Sequence, residues 1–563
     1  MRTATLCLCL TALLAALWWL VLPPAARAQW FNDPYRGMVP IAVGPGDQSS
    51  PRAFSFDNGN FLIAWGDEQT IYQKYYQVLN PFGVPLLPLN GVPMLQGNWS
   101  YGWMSSSDVN PIMPDGDGGC IAVLWDNREG NWDIYGQCFD SLGNRLWGPT
   151  GLPIAIWPTA QDITPLDAAS DSLGNFFVIY RVFYEGWVQT DLYVQKFDGE
   201  GTRLWGEYGA PLCTATGQQS DGQILADEQG GVFAVWPDAR TGFEDFHLYG
   251  QHLNSTGTPL WGTDGRVLRS PISGSSLPVH LVNEGVPDGA GGGVWEYKPP
   301  LNVVCVFRLI DPGILAWMES FNWASNTVYC KILLHPTDGS IWLSTYENFG
   351  IYHPGYYLYS FNPLTGPPPY YLHRVPYGGY DMVPTSSGVV TINFRDEYPF
   401  RMWAGKINRS GAPEWFCNVA ISQSASGGPG FPSCVSDGSE GMVCAFEDGA
   451  NWQQMQGDIY AQRVLSNGQL GAPQPPLLDE SGKQLEYGST NKKEEFLRNA
   501  GAAKVELFDL LGRRVALLEN ERLPEGINSL PLNPANLNLP SGIYVVRMTT
   551  PTGQTAFKIA LTR

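Results

Sequence analysis

The chain is poor in charge and poorest in cations. Charged residues are 15% of its 563 positions, with 33 Lys and Arg against 53 Asp and Glu, for a formal charge of -20 and a pI near 4.7. Such a polyanion repels phosphate backbones, and no basic patch with interleaved aromatics offsets the repulsion, so nucleic acid is excluded as a partner. Histidine is scarce, 6 in all, and none stands in an HExxH or other paired metal spacing. His247 and His252 are expected on one strand and its follower, pointing to opposite faces. The absence of CxxC argues against a zinc site, and no Gly-x-Ser-x-Gly elbow, P-loop or dinucleotide glycine pattern is present. Asp115-Gly-Asp117-Gly reads like a fragment of a calcium loop but lacks the closing glutamate, and it stands where other units carry an ordinary strand-leading turn. No cofactor is expected, calcium being the one candidate left open.

Long apolar runs are missing everywhere except at the start. Arg2, the stretch from Leu6 to Leu22, and Ala26-Arg27-Ala28 before Gln29 read as a signal peptide over residues 1–28. A membrane anchor is the alternative, which Pro23-Pro24 and the small residues behind them disfavour. With no second span, the mature chain is expected to carry no transmembrane segment. Loss of Arg2 and Arg27 takes the charge from -20 to -22. Beyond residue 28 stand Cys120, Cys138, Cys213, Cys305, Cys330, Cys417, Cys434 and Cys444, an even number that permits disulfides in an exported chain. Cys434 and Cys444 flank an expected hairpin turn and are the first pair to test; buried thiols are the alternative.

What the chain has in plenty is glycine (64), proline (45) and aromatics (13%). That mixture favours many short strands and turns over long helices. A phrase recurs, Tyr-x-Gln-x-x-(Asp/Asn)-x-x-Gly-x-x-x-Trp, as Tyr135, Gln137, Asp140, Gly143, Trp147, then Tyr193 to Trp205 and Tyr249 to Trp261, with worn copies at Tyr75 to Gly83 and Tyr460 to Gly468. Its glycine marks Gly83, Gly143, Gly201, Gly257, Gly313, Gly366, Gly411 and Gly468, one period repeated eight times. Each unit reads as about four strands: a stretch such as Gln223-Ile-Leu225, a buried run such as Val232-Phe-Ala-Val-Trp236, the Tyr-x-Gln strand, and an outer piece. The phrase glycine is expected to take a positive φ in the turn. The fold class is therefore all-β, a β-propeller over residues 29–478 of eight blades, with seven as the near alternative. Gly37-Met-Val-Pro-Ile-Ala-Val43 resembles the tail of a unit that has no unit before it, and is expected to complete the last blade.

Just past the buried strand of several units sits a carboxylate, Asp67, Asp126, Asp238, Asp396 and Asp448, placed by blade geometry on one rim beside Trp65, Trp125 and Trp236. Acids beside indoles could bind a cation or a sugar. Alternatively each Asp caps its own loop, Asp126 with Arg128 and Asp238 with Arg240. For a carbohydrate-active enzyme the candidate acids lie in the irregular units, Asp311, Glu319, Glu347 and Asp381. The aromatic stretch from Tyr352 to Tyr359 with Tyr370-Tyr371 is a further candidate contact surface, or an aromatic blade interior.

Residues 479–501 are polar and read as a linker, and residues 502–563 return to alternating apolar residues with Gly and Pro turns, expected to form a small Ig-like β-sandwich. Asp509, Gly512, Arg513 and Val515, then Gly526, then Gly542 and Tyr544, close to the C-terminus, resemble the type A C-terminal sorting domain of type IX (Por) secretion substrates. The chain departs from that family in having Glu495-Phe-Leu-Arg-Asn-Ala in place of an opening Tyr-Pro-Asn-Pro strand, and a related Ig-like module of the flagellar-hook-capping type stays open. The resemblance implies export, a type IX translocon as partner, and release or attachment at the cell surface. The expected function is a secreted or surface repeat protein that binds or scaffolds, with extracellular polysaccharide or cell-surface glycan as the candidate ligand. A carbohydrate-active enzyme and a structural envelope component are the alternatives.

Overall fold

The computed structural model describes residues 30, 38–68, 73–97, 101–102, 112–158, 162–184, 189–242, 246–270, 280–281, 285–298, 303–322, 330–347, 355–366, 380–395, 401–422, 429–451, 456–471, 477–478, 484–485, 502–508, 514–522, 542–550 and 553–561. Every regular element among them is a strand. The expected signal peptide, Asp396, Tyr352, Tyr370, Tyr371, Asp509, Gly512, Arg513 and Gly526 lie outside the described residues.

Eight antiparallel sheets follow one another along Ala28–Ala472 and form an eight-bladed β-propeller, which decides between eight and seven. Blade 1 is Gln48–Ser55, Phe61–Asp67, Gln73–Leu79 and Val92–Pro93. In blade 2, Tyr101–Gly102 and Ile112–Pro114 both pair with Cys120–Asp126, followed by Asp133–Phe139 and Leu152–Ala155. Blade 3 is Asp162–Ser170, Phe176–Phe183, Thr190–Phe197 and Ala210–Cys213, and blade 4 is Gln223–Ala226, Val232–Asp238, His247–Leu253 and Arg266–Arg269. Blade 5 is His280–Leu281 with Val286–Pro287, Gly293–Lys298, Val303–Ile310 and Ile314–Asn322. Blade 6 has three described strands, Cys330–Leu334, Ile341–Glu347 and Gly355–Phe361, and blade 7 is Asp381–Pro384, Gly388–Arg395, Arg401–Asn408 and Pro413–Ser422. Blade 8 is Pro429–Ser436, Met442–Asn451 and Gln456–Val464, completed by Val39–Ala42 from the other end of the chain. Val39 pairs with Ala461 and Pro40 with Tyr460, so the orphan strand closes the ring as expected.

The core is divided into wedges between neighbouring blades. Met113, Ile121, Ile134 and Ile154 of blade 2 pack on Phe176, Val178 and Tyr180 of blade 3, and the closing wedge joins Trp30, Val39, Ile41, Val443 and Ile459 to Phe61, Ile63 and Trp65. The second strand of each blade faces a wedge on both sides. That is why Phe61–Asp67 and Val232–Asp238 are buried throughout, in place of the in-out alternation of a one-sided sheet.

The recurring phrase is the assembly code of these wedges. Its Gln locks the long turn: Gln137 Nε2 donates to the Gly148 carbonyl at 2.7 Å while Oε1 accepts from the Trp147 N–H, and Gln251 repeats both bonds with Gly262 and Trp261. The Asp or Asn shapes the tip, Asp140 Oδ1 accepting from Leu142 and Asn144 and Asn254 Oδ1 from Thr256 and Thr258. The Trp reaches to the next blade: Trp147 Nε1 donates to the Gly199 carbonyl, Trp205 to Ser255, Trp317 to Pro363 and Trp415 to Ser466. All eight ruler glycines have positive φ. Gly83, Gly143, Gly201, Gly257, Gly313 and Gly366 also lie where a neighbouring side chain leaves no room: a Cβ on Gly83 would stand 2.7 Å from the Trp30 ring. Trp30 itself donates to the Pro81 carbonyl, which makes it the missing Trp of blade 8, supplied by the N-terminal segment. Blade 1 has Leu87 in the Trp position, and there Tyr76 Oη donates to the Gly143 carbonyl instead.

Residues Pro473–Arg563 belong to a second unit. Leu477–Leu478 pairs with Gln484–Leu485, so part of the expected linker is paired. The strands Arg514–Arg522, Ala502–Phe508, Gly542–Thr550 and Gly553–Leu561 form, in that spatial order, one antiparallel sheet. Among the described residues the other sheet of this unit is the two-stranded pair of Leu477–Leu478 and Gln484–Leu485, which is short of the second layer that the expected sandwich requires. Val515, Gly542 and Tyr544, which carry part of the resemblance noted in the sequence, lie on strands of the four-stranded sheet.

Candidate functional site

Propeller topology sorts the connections by end. At one end the first-to-second-strand turns of six blades are five residues long, 56–60, 115–119, 171–175, 227–231, 288–292 and 437–441, while those of blades 6 and 7 are 335–340 and 385–387. They are built alike: Asp115, Asp171, Asp227, Asp288 and Asp437 each accept N–H groups two and four residues on. Asp115 is thereby a turn residue, as its position implied. At the other end run the second-to-third-strand connections and those between blades, unequal in length and sequence, such as 239–246 and 270–279. Irregular loops on a rigid scaffold are where binding residues concentrate.

The rim carboxylates border this end. Asp67, Asp126, Asp238 and Asp448 occupy equivalent positions, opposite Gln73, Asp133, His247 and Asp458. Asp126 and Asp238 face inward to their own arginines. Arg128 Nη2 meets Asp126 Oδ2 at 2.6 Å and Arg240 Nη2 meets Asp238 Oδ2 at 2.7 Å, both carboxylates being fully buried. Each also accepts the arginine's backbone N–H, and each guanidinium lies over the phrase tyrosine, Arg128 over Tyr135 at 3.5 Å and Arg240 over Tyr249 at 4.0 Å. Burial alone would raise the Asp238 pKa, but hydrogen bonds from Arg240 and Trp236 hold it below its ordinary value. Of the indoles, Trp65 and Trp236 are wholly buried, while Trp125 is half-buried. The repeated Asp-Arg pair serves the blade.

The other acids considered are scattered. Asp311 sits in the third-to-fourth-strand turn of blade 5, accepting from Trp261 Nε1 at 2.7 Å, at the uniform end. Glu319 is exposed on an outer strand, and Glu347 ends the second strand of blade 6. Asp381 begins blade 7 at the opposite end from Asp311 and accepts the Cys434 N–H of blade 8 at 2.8 Å. These positions do not bring Asp311 and Asp381 into one pocket. Tyr359 lies in the wedge between blades 5 and 6. His247 and His252 share one strand, a correction to their expected placement on two; five residues apart, they point to opposite faces.

What the ring brings together is a cluster of acids and indoles at the seam of blades 2 and 3, termed the notch. Asp133 opens the third strand of blade 2, and Asp162 opens the first strand of blade 3. They are cross-laced: Trp132 N–H donates to Asp162 Oδ1 at 3.2 Å, and Trp157 N–H donates to Asp133 Oδ1 at 3.2 Å. Asp133 is 1% exposed, and its Oδ2 has no hydrogen-bond partner. Burial pushes Asp133 up to about 6, with the Asp126, Glu129 and Asp162 charges adding to it against the Trp157 N–H; burial likewise pushes Asp162 up to about 6. Three half-buried indoles border the acids, Trp125 and Trp132 with ring centroids 4.5 Å apart, and Trp157 packed edge-on to Tyr193 at 4.6 Å.

Sequence reading missed Asp133 and Asp162 because it followed the repeat. The signal lay in adjacency, Trp132 beside Asp133 in a loop that breaks the pattern. The closing seam carries a related acid group without indoles. Asp47 Oδ1 accepts from Gly457 N–H, Asp458 Oδ1 accepts from Gly44 N–H, and burial and the Asp47 charge push Glu447 up to about 7. Among the described residues no group of three or more His, Cys, Asp or Glu could hold a metal ion, and no helix is long and apolar enough to cross a membrane.

No protein-family profile matches the chain, and no curated protein matches it. Solved structures similar to it include the Hadza microbial sialidase Hz136, at 10% identity and a TM-score of 0.36 over 53% of this chain and 63% of that one, which is under two thirds of its length. PorZ of Porphyromonas gingivalis, a surface component of the type IX secretion system, is similar at 11% identity and a TM-score of 0.30 over 93% and 82% of the two chains. An α-L-arabinofuranosidase of Fusarium graminearum is similar at 8% identity and a TM-score of 0.30 over 76% and 96%. The likeness to all three is one of fold alone.

Proposed function

We propose that the chain is an exported, surface-associated carbohydrate-binding propeller, and that the notch of Asp133, Asp162, Trp125, Trp132 and Trp157 is where it grips sugar. The observation that carries this reading is that the backbone N–H groups of Trp132 and Trp157 bond Asp162 and Asp133, setting half-buried indoles beside two carboxyls at the irregular end of the ring. Indole faces suit the C–H faces of a pyranose, and carboxyl oxygens accept from its hydroxyls. The charges that raise Asp133 are those of Asp126, Glu129 and Asp162, of which Asp126 is paired with Arg128. Neutral and amino sugars therefore fit the notch, and uronic or sialic acids are repelled.

The test is a glycan array followed by titration calorimetry on wild type, Trp132→Ala, Asp162→Asn and Asp126→Ala. Trp132→Ala is expected to weaken binding by about 2 kcal/mol, roughly thirtyfold. Asp162→Asn should relax discrimination against acidic sugars. So should acidification from pH 7.5 to 5, since two carboxyls with pKa near 6 are ionised above that value and take up protons below it. Asp126→Ala is expected to lower the melting temperature, because it removes the carboxylate that holds the partly buried Arg128 guanidinium. Sugar binding unchanged by Trp132→Ala would remove the notch from consideration.

Export by a type IX translocon is the second part of the proposal, supported by the order and C-terminal position of Asp509, Gly512, Arg513, Val515, Gly526, Gly542 and Tyr544. In a host with that system, deleting residues 502–563 is expected to trap the protein in the periplasm. Surface delivery of the truncated chain would overturn the assignment.

A further inference from the structure

Among the described strands, those of blade 8 come from two distant parts of the chain, and its innermost strand, Pro429–Ser436, holds both neighbours. Ser433 Oγ accepts the Ala53 N–H of blade 1 at 3.0 Å, and the next residue, Cys434, donates its N–H to Asp381 of blade 7. Cys434 lies directly opposite Cys444 across the antiparallel pair, and the two thiols touch, Sγ to Sγ 2.9 Å. Directly opposed residues in such a ladder have Cα atoms about 4.5–5.5 Å apart, inside the span of about 4.4–6.8 Å that a disulfide bridges. Cys120 and Cys138 show the contrast. They too lie on adjacent strands, but Cys120 faces Phe139 and Cys138 faces Ile121, which sends their side chains to opposite sides of the sheet.

We infer that Cys434 and Cys444 are an oxidisable pair that closes into a disulfide, stapling the first strand of the closing blade to the second. The oxidant is a disulfide, either a low-molecular-weight one such as glutathione disulfide or a protein dithiol oxidase. One cysteine thiolate attacks it, forming a mixed disulfide and releasing one thiol; the second cysteine then displaces the other thiol. Two protein S–H bonds and the oxidant S–S bond are lost, and one protein S–S bond and two S–H bonds form. The cysteines give up two electrons, which the oxidant takes. Burial, with the adjoining Cys444, pushes the Cys434 thiol well above its usual range, so thiolate is scarce in the folded ring. The bridge therefore forms fastest while the chain is folding and, once buried, resists reduction. Stapling this strand secures the seam where opening of the ring would begin.

The test uses the full chain, refolded with glutathione disulfide or with a reductant, then alkylated, digested and weighed. The expected result is a cross-linked species joining the peptides of Cys434 and Cys444, lighter by two hydrogen atoms than the reduced pair, with two fewer alkylated thiols. Cys444→Ser should lose the cross-link and leave Cys434 as a glutathione adduct. In native-state proteolysis the oxidised ring should be cut several-fold more slowly than the reduced one. Full alkylation of both cysteines after oxidative refolding, or their bridging to other cysteines, would overturn the inference. Equal proteolysis rates for verified oxidised and reduced forms would overturn the stapling role.

Discussion

Deletion of residues 29–43 is expected to abolish the cooperative fold of the propeller, a larger effect than any single substitution in a blade. The segment supplies Trp30, Val39, Ile41 and Ala42 to the closing wedge, none of them more than 5% exposed. At about 1.5–3 kcal/mol for each buried aliphatic and more for an indole, the segment contributes on the order of 8–10 kcal/mol. That is comparable with the whole stability of a domain, about 5–15 kcal/mol. The loss is also topological, because the strand Gln456–Val464 would be left as a bare edge, free to pair with other chains. Size-exclusion chromatography and thermal melts should show aggregation and a broad, early transition. A monomeric product with an unchanged melt would mean that the ring is held by the other seams alone.

Gly83→Ala is expected to cost about 2–4 kcal/mol, the sum of left-handed backbone strain in an alanine and overpacking against an indole. Its φ is +77°, and the three atoms nearest to the added Cβ all belong to Trp30, at 2.7, 2.9 and 3.0 Å. Trp30→Ala should cost about 3–5 kcal/mol through the cavity it leaves. Because both changes act on one contact, they should not add. In the Trp30→Ala background the alanine keeps its backbone strain but loses its clash, so Gly83→Ala should then cost only about 1–2 kcal/mol. Denaturant melts of the four proteins in the cycle measure this coupling, and strict additivity would show that the ring and the glycine are independent.

The repeat could be read directly because it is a local code with a physical cause at every letter. Gln137 must bond both sides of a turn within reach of its own strand, Asp140 must cap that turn, and Gly143 must take a φ that other residues resist. Such requirements recur at fixed spacing in most blades, so the buried strands, the orphan strand at Val39 and a count of eight blades, with seven as the alternative, were available from the amino-acid sequence. The same regularity misdirected the search for a site. Asp126 and Asp238 recur because each neutralises an arginine that covers a blade tyrosine, a need every blade can share.

Only closure of the ring decided what meets across a seam. Asp133 and Asp162 stand on different blades, and their pairing with Trp132 and Trp157 depends on the rotation from one sheet to the next, which no spacing within a unit encodes. Trp30 likewise gains its role from Gly83 and Pro81, 51 residues from its indole partner Pro81, through a contact that exists only once the first and last blades touch. The chain by itself determined the blade, since the blade is made of short-range hydrogen bonds and continuous apolar runs buried on both faces. The facing of Cys434 and Cys444 was legible from the hairpin turn they flank, whereas tertiary structure decided the meeting of Asp133 and Asp162, since burial and shifted acidity arise from what neighbouring blades bring against a residue.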